Sequence, residues 1–150
     1  MTTPAAATPQ QHTFWPAGRG HFHASVKLAK ESLPGSADHL AGLAAECVVK
    51  AYLIDFLGFR FNPKGPPMDP TGARTKLGHV NELWPELTQI VSGRVGPDLM
   101  SLIYENPFDG WSVHDRYADG NGIQAAELAQ HIDAARRLCA LYELASKGHI

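Results

Sequence analysis

Two polar runs, Lys76-Leu77-Gly78-His79-Val80-Asn81-Glu82-Leu83 and Trp111-Ser112-Val113-His114-Asp115-Arg116-Tyr117, hold the side chains best suited to bind a ligand or move a proton. Each combines an imidazole, a cation and a carboxylate. Each also stands at the boundary of an expected helix, where a rigid element can aim loop side chains at a ligand. Two readings stay open for them. Either they line a binding site, or His79 pins the preceding loop while Arg116 pairs with a carboxylate such as Glu46.

Other patterns offer less chemistry. His21 and His23 form an H-x-H pair, but on a helix they point about 200° apart, which suits solvated side chains better than metal ligands. The run Asp115, Tyr117, Asp119, Gly120, Asn121, Gly122 and Glu127 offers oxygen ligands. Counted from Asp115, however, its third position is Tyr117 and its twelfth is Ala126, out of register for a calcium loop, so Asp119 to Gly122 reads as a turn. No G-x-S-x-G elbow or phosphate-cradling glycine motif occurs, and Gly18-Arg19-Gly20 alone makes a poor anion site. No metal or cofactor is expected.

The elements that must position these residues are helical. Phe22, Val26, Ala29 and Leu33 recur at helical spacing from Gly20, and Pro34-Gly35 predicts the stop. Ser36 stands where an N-cap belongs. Leu40, Leu43, Ala44, Cys47, Ala51 and Ile54 then predict a long helix ending at Gly58, with Glu46 and Lys50 one turn apart. Ala41, Gly42, Ala44 and Ala45 keep that helix thin enough for close packing, the basis for expecting a two-fold dimer. Prolines and glycines between residues 59 and 78 predict a long loop.

Val80, Leu83, Trp84, Leu87 and Val91 resume the helical period, with Pro85 at a kink or opening a new turn. Pro97-Asp98 opens a short helix with Leu99, Leu102 and Ile103 inward. Residues Asn106 to Gly122 predict an irregular segment. A last helix, from about Ile123 to Ala145, turns Leu128, Ile132, Ala135, Cys139 and Tyr142 inward and Arg136-Arg137 outward. No alternating run of β-branched residues competes with these helices, so the expected fold is all-α, an up-and-down bundle of four to five helices.

The composition sets the bounds. A chain of 150 residues, 44% hydrophobic, can bury a core without disulfides or a structural metal. Thirteen Lys and Arg against fifteen Asp and Glu give a formal charge of -2, which argues against a protein built mainly to neutralise nucleic-acid phosphates or anionic lipid. Cys47 and Cys139 sit in apolar patterns and read as buried small hydrophobes in a reducing cytosol. Residues 1–15, poor in large apolar side chains, predict a mobile tail ahead of one domain over 16–150. No apolar run approaches the length of a membrane span, so a cytoplasmic protein without membrane contact is expected.

The order of these blocks resembles bacterial HEPN-domain proteins. The match lies in a helix reading Ala37-Asp38-His39-Leu40-Ala41-Gly42-Leu43-Ala44-Ala45-Glu46-Cys47-Val48-Val49-Lys50-Ala51, a loop, Gly78-His79-Val80-Asn81-Glu82-Leu83, and Trp111 to Tyr117 before a final helix. It spans about residues 20–145 and is sharpest in E-C-x-x-K-A followed by G-H-x-x-x-L. The resemblance implies a HEPN-like bundle, often dimeric, in a family that includes RNA-cleaving toxins, relatives in phage defence, and non-catalytic nucleotide- or RNA-binding modules. Its ribonucleases pair an Arg with a nearby His at the start of a late helix. There the His exchanges a proton with the 2′-OH or leaving oxygen and the Arg holds the phosphate.

This chain departs from that pattern. Arg116 stands in the expected region, but the next His is His131; Arg74 and His79 have four residues between them and fall before the third helix. The candidate catalytic residues are therefore His79, Arg116, Arg74 and His114. The candidate ligand-binding residues are Glu46, Lys50, His79, Trp111, Arg116 and Tyr117. The expectation is a homodimeric HEPN-like module that binds a nucleotide, RNA or protein partner without catalysis, in a toxin–antitoxin or phage-defence setting. A metal-independent endoribonuclease and a structural interaction module are the alternatives. His79 and Arg116 are expected to approach each other or to share the Glu46 carboxylate.

Overall fold

The computed structural model describes residues 13–60, 78–91 and 97–148, the side chains of residues 88–91, 97, 98 and 116 excepted. Arg74, Lys76 and most of the expected 59–78 loop lie outside the described residues, as does the tail up to residue 12. Five α-helices and no strand occur among the described residues: α1 (Phe14–Lys30), α2 (Pro34–Leu57), α3 (Val80–Val91), α4 (Pro97–Ile103) and α5 (Ala125–Ser146). A 3-10 turn at Val113–Tyr117 precedes α5. The architecture is the all-α bundle expected from the sequence.

Two helix boundaries differ from the sequence reading. The first helix starts at Phe14, not near Gly20, because Phe14 and Trp15 have apolar surface to bury, and Trp15 stacks on Tyr142 of α5 with ring centroids 4.1 Å apart. Pro16 is tolerated in that first turn, where backbone N–H groups have no intrahelical partner. The α1–α2 connection is only Glu31 to Leu33. Ser32 takes a left-handed φ of 63°, and the Leu33 N–H donates to the Leu28 carbonyl at 3.0 Å. At the start of α2, Leu33 rather than Ser36 occupies the N-cap, because Pro34 is pre-set for the first helical position and has no N–H to leave unpaired.

α2 is the central helix. The stripe from Leu40 to Ile54 describes one of its faces, but Ala37, Ala41, Val48, Val49, Tyr52 and Leu53 are buried on others, so the helix is enclosed on nearly all sides. Its small residues are spent inside the chain. A Cβ on Gly18 of α1 would lie 2.8 Å from Val48 Cγ2, and a Cβ on Gly42 would lie 2.0 Å from Cε2 of the Trp111 indole. The surface that suggested a dimer is thus covered by α1 and by Trp111 of the same chain.

The rest of the core closes around α2. Val80, Leu83, Trp84 and Leu87 of α3, with Leu99, Leu102 and Ile103 of α4, are buried together with Leu53 and Leu138. Pro85 sits inside one continuous α3. On α5, Ile132, Ala135, Cys139 and Tyr142 point inward and Arg136 and Arg137 outward, but His131 is buried beside them.

Gly42→Ala should lower stability by about 2–4 kcal/mol, because the indole has no room to retreat. Gly20→Ala, where nothing lies within 4 Å of the added carbon, should raise it by roughly 0.5–1 kcal/mol. Urea unfolding of the two variants beside wild type checks both signs.

Candidate functional site

Asp38, Gly42, Glu46 and Lys50 follow one another at four-residue steps along α2 and so form a single ridge. Of the buried polar or charged side chains among the described residues, Asp38, Glu46 and His131 are organised on it, and Ser25 donates instead to the Ala37 carbonyl. At the Glu46 end, Oε1 accepts from Nδ1 of His79 at 3.0 Å and from the backbone N–H of Val80 at 3.1 Å, while Oε2 accepts from Lys50 Nζ at 3.0 Å. Glu46 is therefore a cap supplied from another helix: its carboxylate sits where the first turn of α3 has free N–H groups and the positive end of its dipole. The His79 carbonyl receives the Glu82 and Leu83 N–H groups and begins the helix proper. Glu46 and Lys50 side chains are only 11% and 13% exposed, whereas His79 is 46% exposed, its ring anchored through Nδ1. Lys50 also lies 6.0 Å from the centroid of the Phe14 ring.

At the Asp38 end the polar contacts are fully enclosed. Nδ1 of His131, on α5, lies 2.6 Å from Asp38 Oδ1, and Nε2 lies 2.7 Å from the Pro107 carbonyl. A carbonyl only accepts, so Nε2 carries a proton. The second ring nitrogen faces a carboxylate, and a proton there makes His131 an imidazolium paired with Asp38. Burial opposes that charge most strongly. The Asp38 hydrogen bond and charge, the Pro107 carbonyl and the charge of Glu127 together outweigh it, so the His131 pKa is raised. The Phe108 ring stacks on the imidazole with centroids 4.8 Å apart.

Between these two ends lies Trp111, laid on Gly42. Its Nε1 donates to the Asp38 carbonyl at 3.0 Å, and its ring stacks with His39. This differs from the ligand-binding role expected for Trp111. An indole only 1% exposed, with its N–H committed, is a packing element that holds the 3-10 turn to α2.

The structure brings Glu46, Lys50 and His79 together in one hydrogen-bonded cluster. Tyr117 and His114 are exposed on the 3-10 turn, which is closed by a reciprocal Ser112–Asp115 capping box. The turn carries Arg116, whose side chain lies outside the described residues; of the expected His79–Arg116–Glu46 grouping, the His79–Glu46 contact is present. In the segment read as a turn rather than a calcium loop, Asp119 Oδ1 accepts the Asn121 N–H and Gly120 has φ 83°. Both thiols are held in the protonated form. Burial first, then the Glu46 charge, offset in part by Lys50, pushes Cys47 up to about 11; burial and Glu143, offset by Arg19, do the same for Cys139. The Tyr142 phenol is raised by burial and by donating to Asp55 Oδ2 at 2.5 Å.

Sequence reasoning missed Asp38 and His131. A signal was there: His131 falls on the inward phase set by Ala135, Leu138 and Tyr142, and Asp38 stands two turns before Glu46 on the same ridge. Comparison with family models, with curated proteins and with solved structures finds no match for this chain.

Because the His131 pKa is raised on folding, its stabilisation is complete below the ordinary histidine value of about 6.5 and is lost as pH rises through the raised value. The stability difference between wild type and His131→Gln should therefore be largest near pH 6, at roughly 2–4 kcal/mol, and should shrink at alkaline pH. Urea midpoints from pH 6 to 10 test the direction. Glu46→Ala, which strands Lys50 and the Val80 N–H, should cost about 2–3 kcal/mol, with Glu46→Gln in between.

Proposed function

We propose that this chain is a HEPN-like binding module that engages a partner without cleaving RNA. The observation that supports this reading best is the commitment of His79. The imidazole is fixed through Nδ1 to a carboxylate whose remaining capacity holds Lys50 and the start of α3. Together these contacts explain His79 and Glu46 as the joint between α2 and α3. The Glu46 carboxylate also takes the place an anionic phosphate would need at that helix start. With a formal charge of -2, the chain favours a protein partner or a small nucleotide over a long RNA. A homodimeric state and a cytoplasmic toxin–antitoxin or phage-defence setting belong to the same reading.

One observation favours the second reading, a metal-independent endoribonuclease. A carboxylate behind Nδ1 of a half-exposed imidazole is also how a general base is oriented. Purified protein without added metal, incubated with single-stranded RNA, separates the two. The expected result is cleavage no faster than by His79→Ala, together with a lower melting temperature for that variant. Acid–base catalysis contributes about 10²–10⁴-fold. Cleavage that falls by such a factor in both His79→Ala and Arg74→Ala, with each variant still folded, would establish the ribonuclease instead.

A further inference from the structure

α1 has a one-sided charge pattern, and the ion pairs among the described residues do not draw on its Arg or Lys side chains. It carries Arg19, Lys27 and Lys30 with His21 and His23, and not one Asp or Glu in its 17 residues, although acidic residues outnumber basic ones in the whole chain. The twelve residues before Thr13 add no acidic side chain. Arg19, Gly20, His23, Lys27 and Lys30 are all exposed, and the steps of four, four and three from Arg19 through His23 and Lys27 to Lys30 align these four side chains along one side of the helix. At Gly20 nothing approaches within 4 Å of the position a Cβ would take, so a neighbouring backbone can come close at the Arg19 end of the row. From α5, Arg136 lies 5.7 Å from the Phe22 ring and extends the cationic area across the α1–α5 edge. The acidic groups at its rim are Asp133, 3.5 Å from Arg136, Glu143, which with Arg19 acts on Cys139, and Glu31 beyond the last turn.

We infer that this face of α1 docks an acidic helical segment of a partner protein, with carboxylates at four-residue spacing opposite Arg19, His23 and Lys27. A polypeptide fits better than a nucleic acid for two physical reasons. Single strands bind through aromatic platforms beside the cations, and the aromatic ring on this side, Phe22, is half-buried beneath Arg136. A long polyanion would also meet the surplus negative charge of the rest of the chain, whereas a short segment with a few carboxylates meets only the cationic row. The inference goes beyond the reading of His79 and stands whether or not that residue is catalytic, because the two tests share no residue, one reading RNA cleavage and the other peptide binding.

The test uses the full chain at low ionic strength, where surface charges are least screened. The probes are a labelled alanine-based helical peptide with Glu at every fourth position, a peptide of the same composition with its Glu residues scattered around the helix, and an oligouridylate of equal charge. Fluorescence anisotropy should give at least about tenfold tighter binding of the in-phase peptide than of either competitor. That preference should disappear with salt and in a Lys27→Glu, Lys30→Glu chain. A Lys27→Gln, Lys30→Gln chain guards against loss of the helix and should weaken binding about severalfold with an unchanged melting temperature. Equal binding of the two peptides, or binding untouched by either pair of substitutions, would overturn the inference. So would an oligouridylate that binds more tightly and loses its affinity in the same variants, which would make the face a nucleic-acid site. Self-association of wild type that the reversal abolishes would make the occupant a second copy.

Discussion

A histidine shut away from water between a carboxylate and a carbonyl pins the far half of this bundle, and those two neighbours hold it most firmly when both nitrogens are protonated. His131 joins α5 to α2 through Asp38 and to the segment after α4 through Pro107. Trp111 reaches the carbonyl of the same Asp38, and Phe108 covers the ring, so three pieces of chain distant in sequence, α2, the segment from Pro107 to Trp111, and α5, meet at one buried pair. Burying a charge is costly, and removing either partner would leave the other uncompensated in the interior. The irregular connection between α4 and α5 thereby acquires one position that apolar contacts alone would not specify.

The same ridge of α2 repeats the device eight residues later in a half-open form. Glu46 joins α2 to the start of α3 through the Val80 N–H and to His79, and Lys50 balances its charge. Gly42 lies midway and admits the indole that separates the two pairs. One helix thus positions both histidines, one enclosed and one at the surface. The exposed histidine is accounted for as a joint between helices before any reaction is asked of it.

Much of this was legible in the sequence, for definite reasons. The inward residues of α3, α4 and α5 follow the helical period closely, and the Glu46–Lys50 step and the His79 block mark the half-open joint. What was not legible depends on tertiary context. An enclosed helix such as α2 has no single apolar stripe, so its small residues suggested a second chain where the structure supplies α1 and Trp111. Trp111, set among polar neighbours, reads as a ligand-binding candidate because the partner that buries it, Gly42, is far away in sequence. Asp38 and His131, 93 residues apart, reveal their roles only when α5 is laid against α2. The early start of α1 reflects the stacking of Trp15 on Tyr142, which local composition does not encode.

The protonation of His131 tests the account most directly. Proton–nitrogen correlation spectra of selectively labelled histidine rings report the state of each nitrogen separately. His131, assigned by its loss in His131→Gln, should keep both ring protons at a pH just above the ordinary histidine value, with the Nδ1 proton shifted far downfield by its short contact to Asp38. A single neutral tautomer at that pH, in a protein still folded, would contradict it.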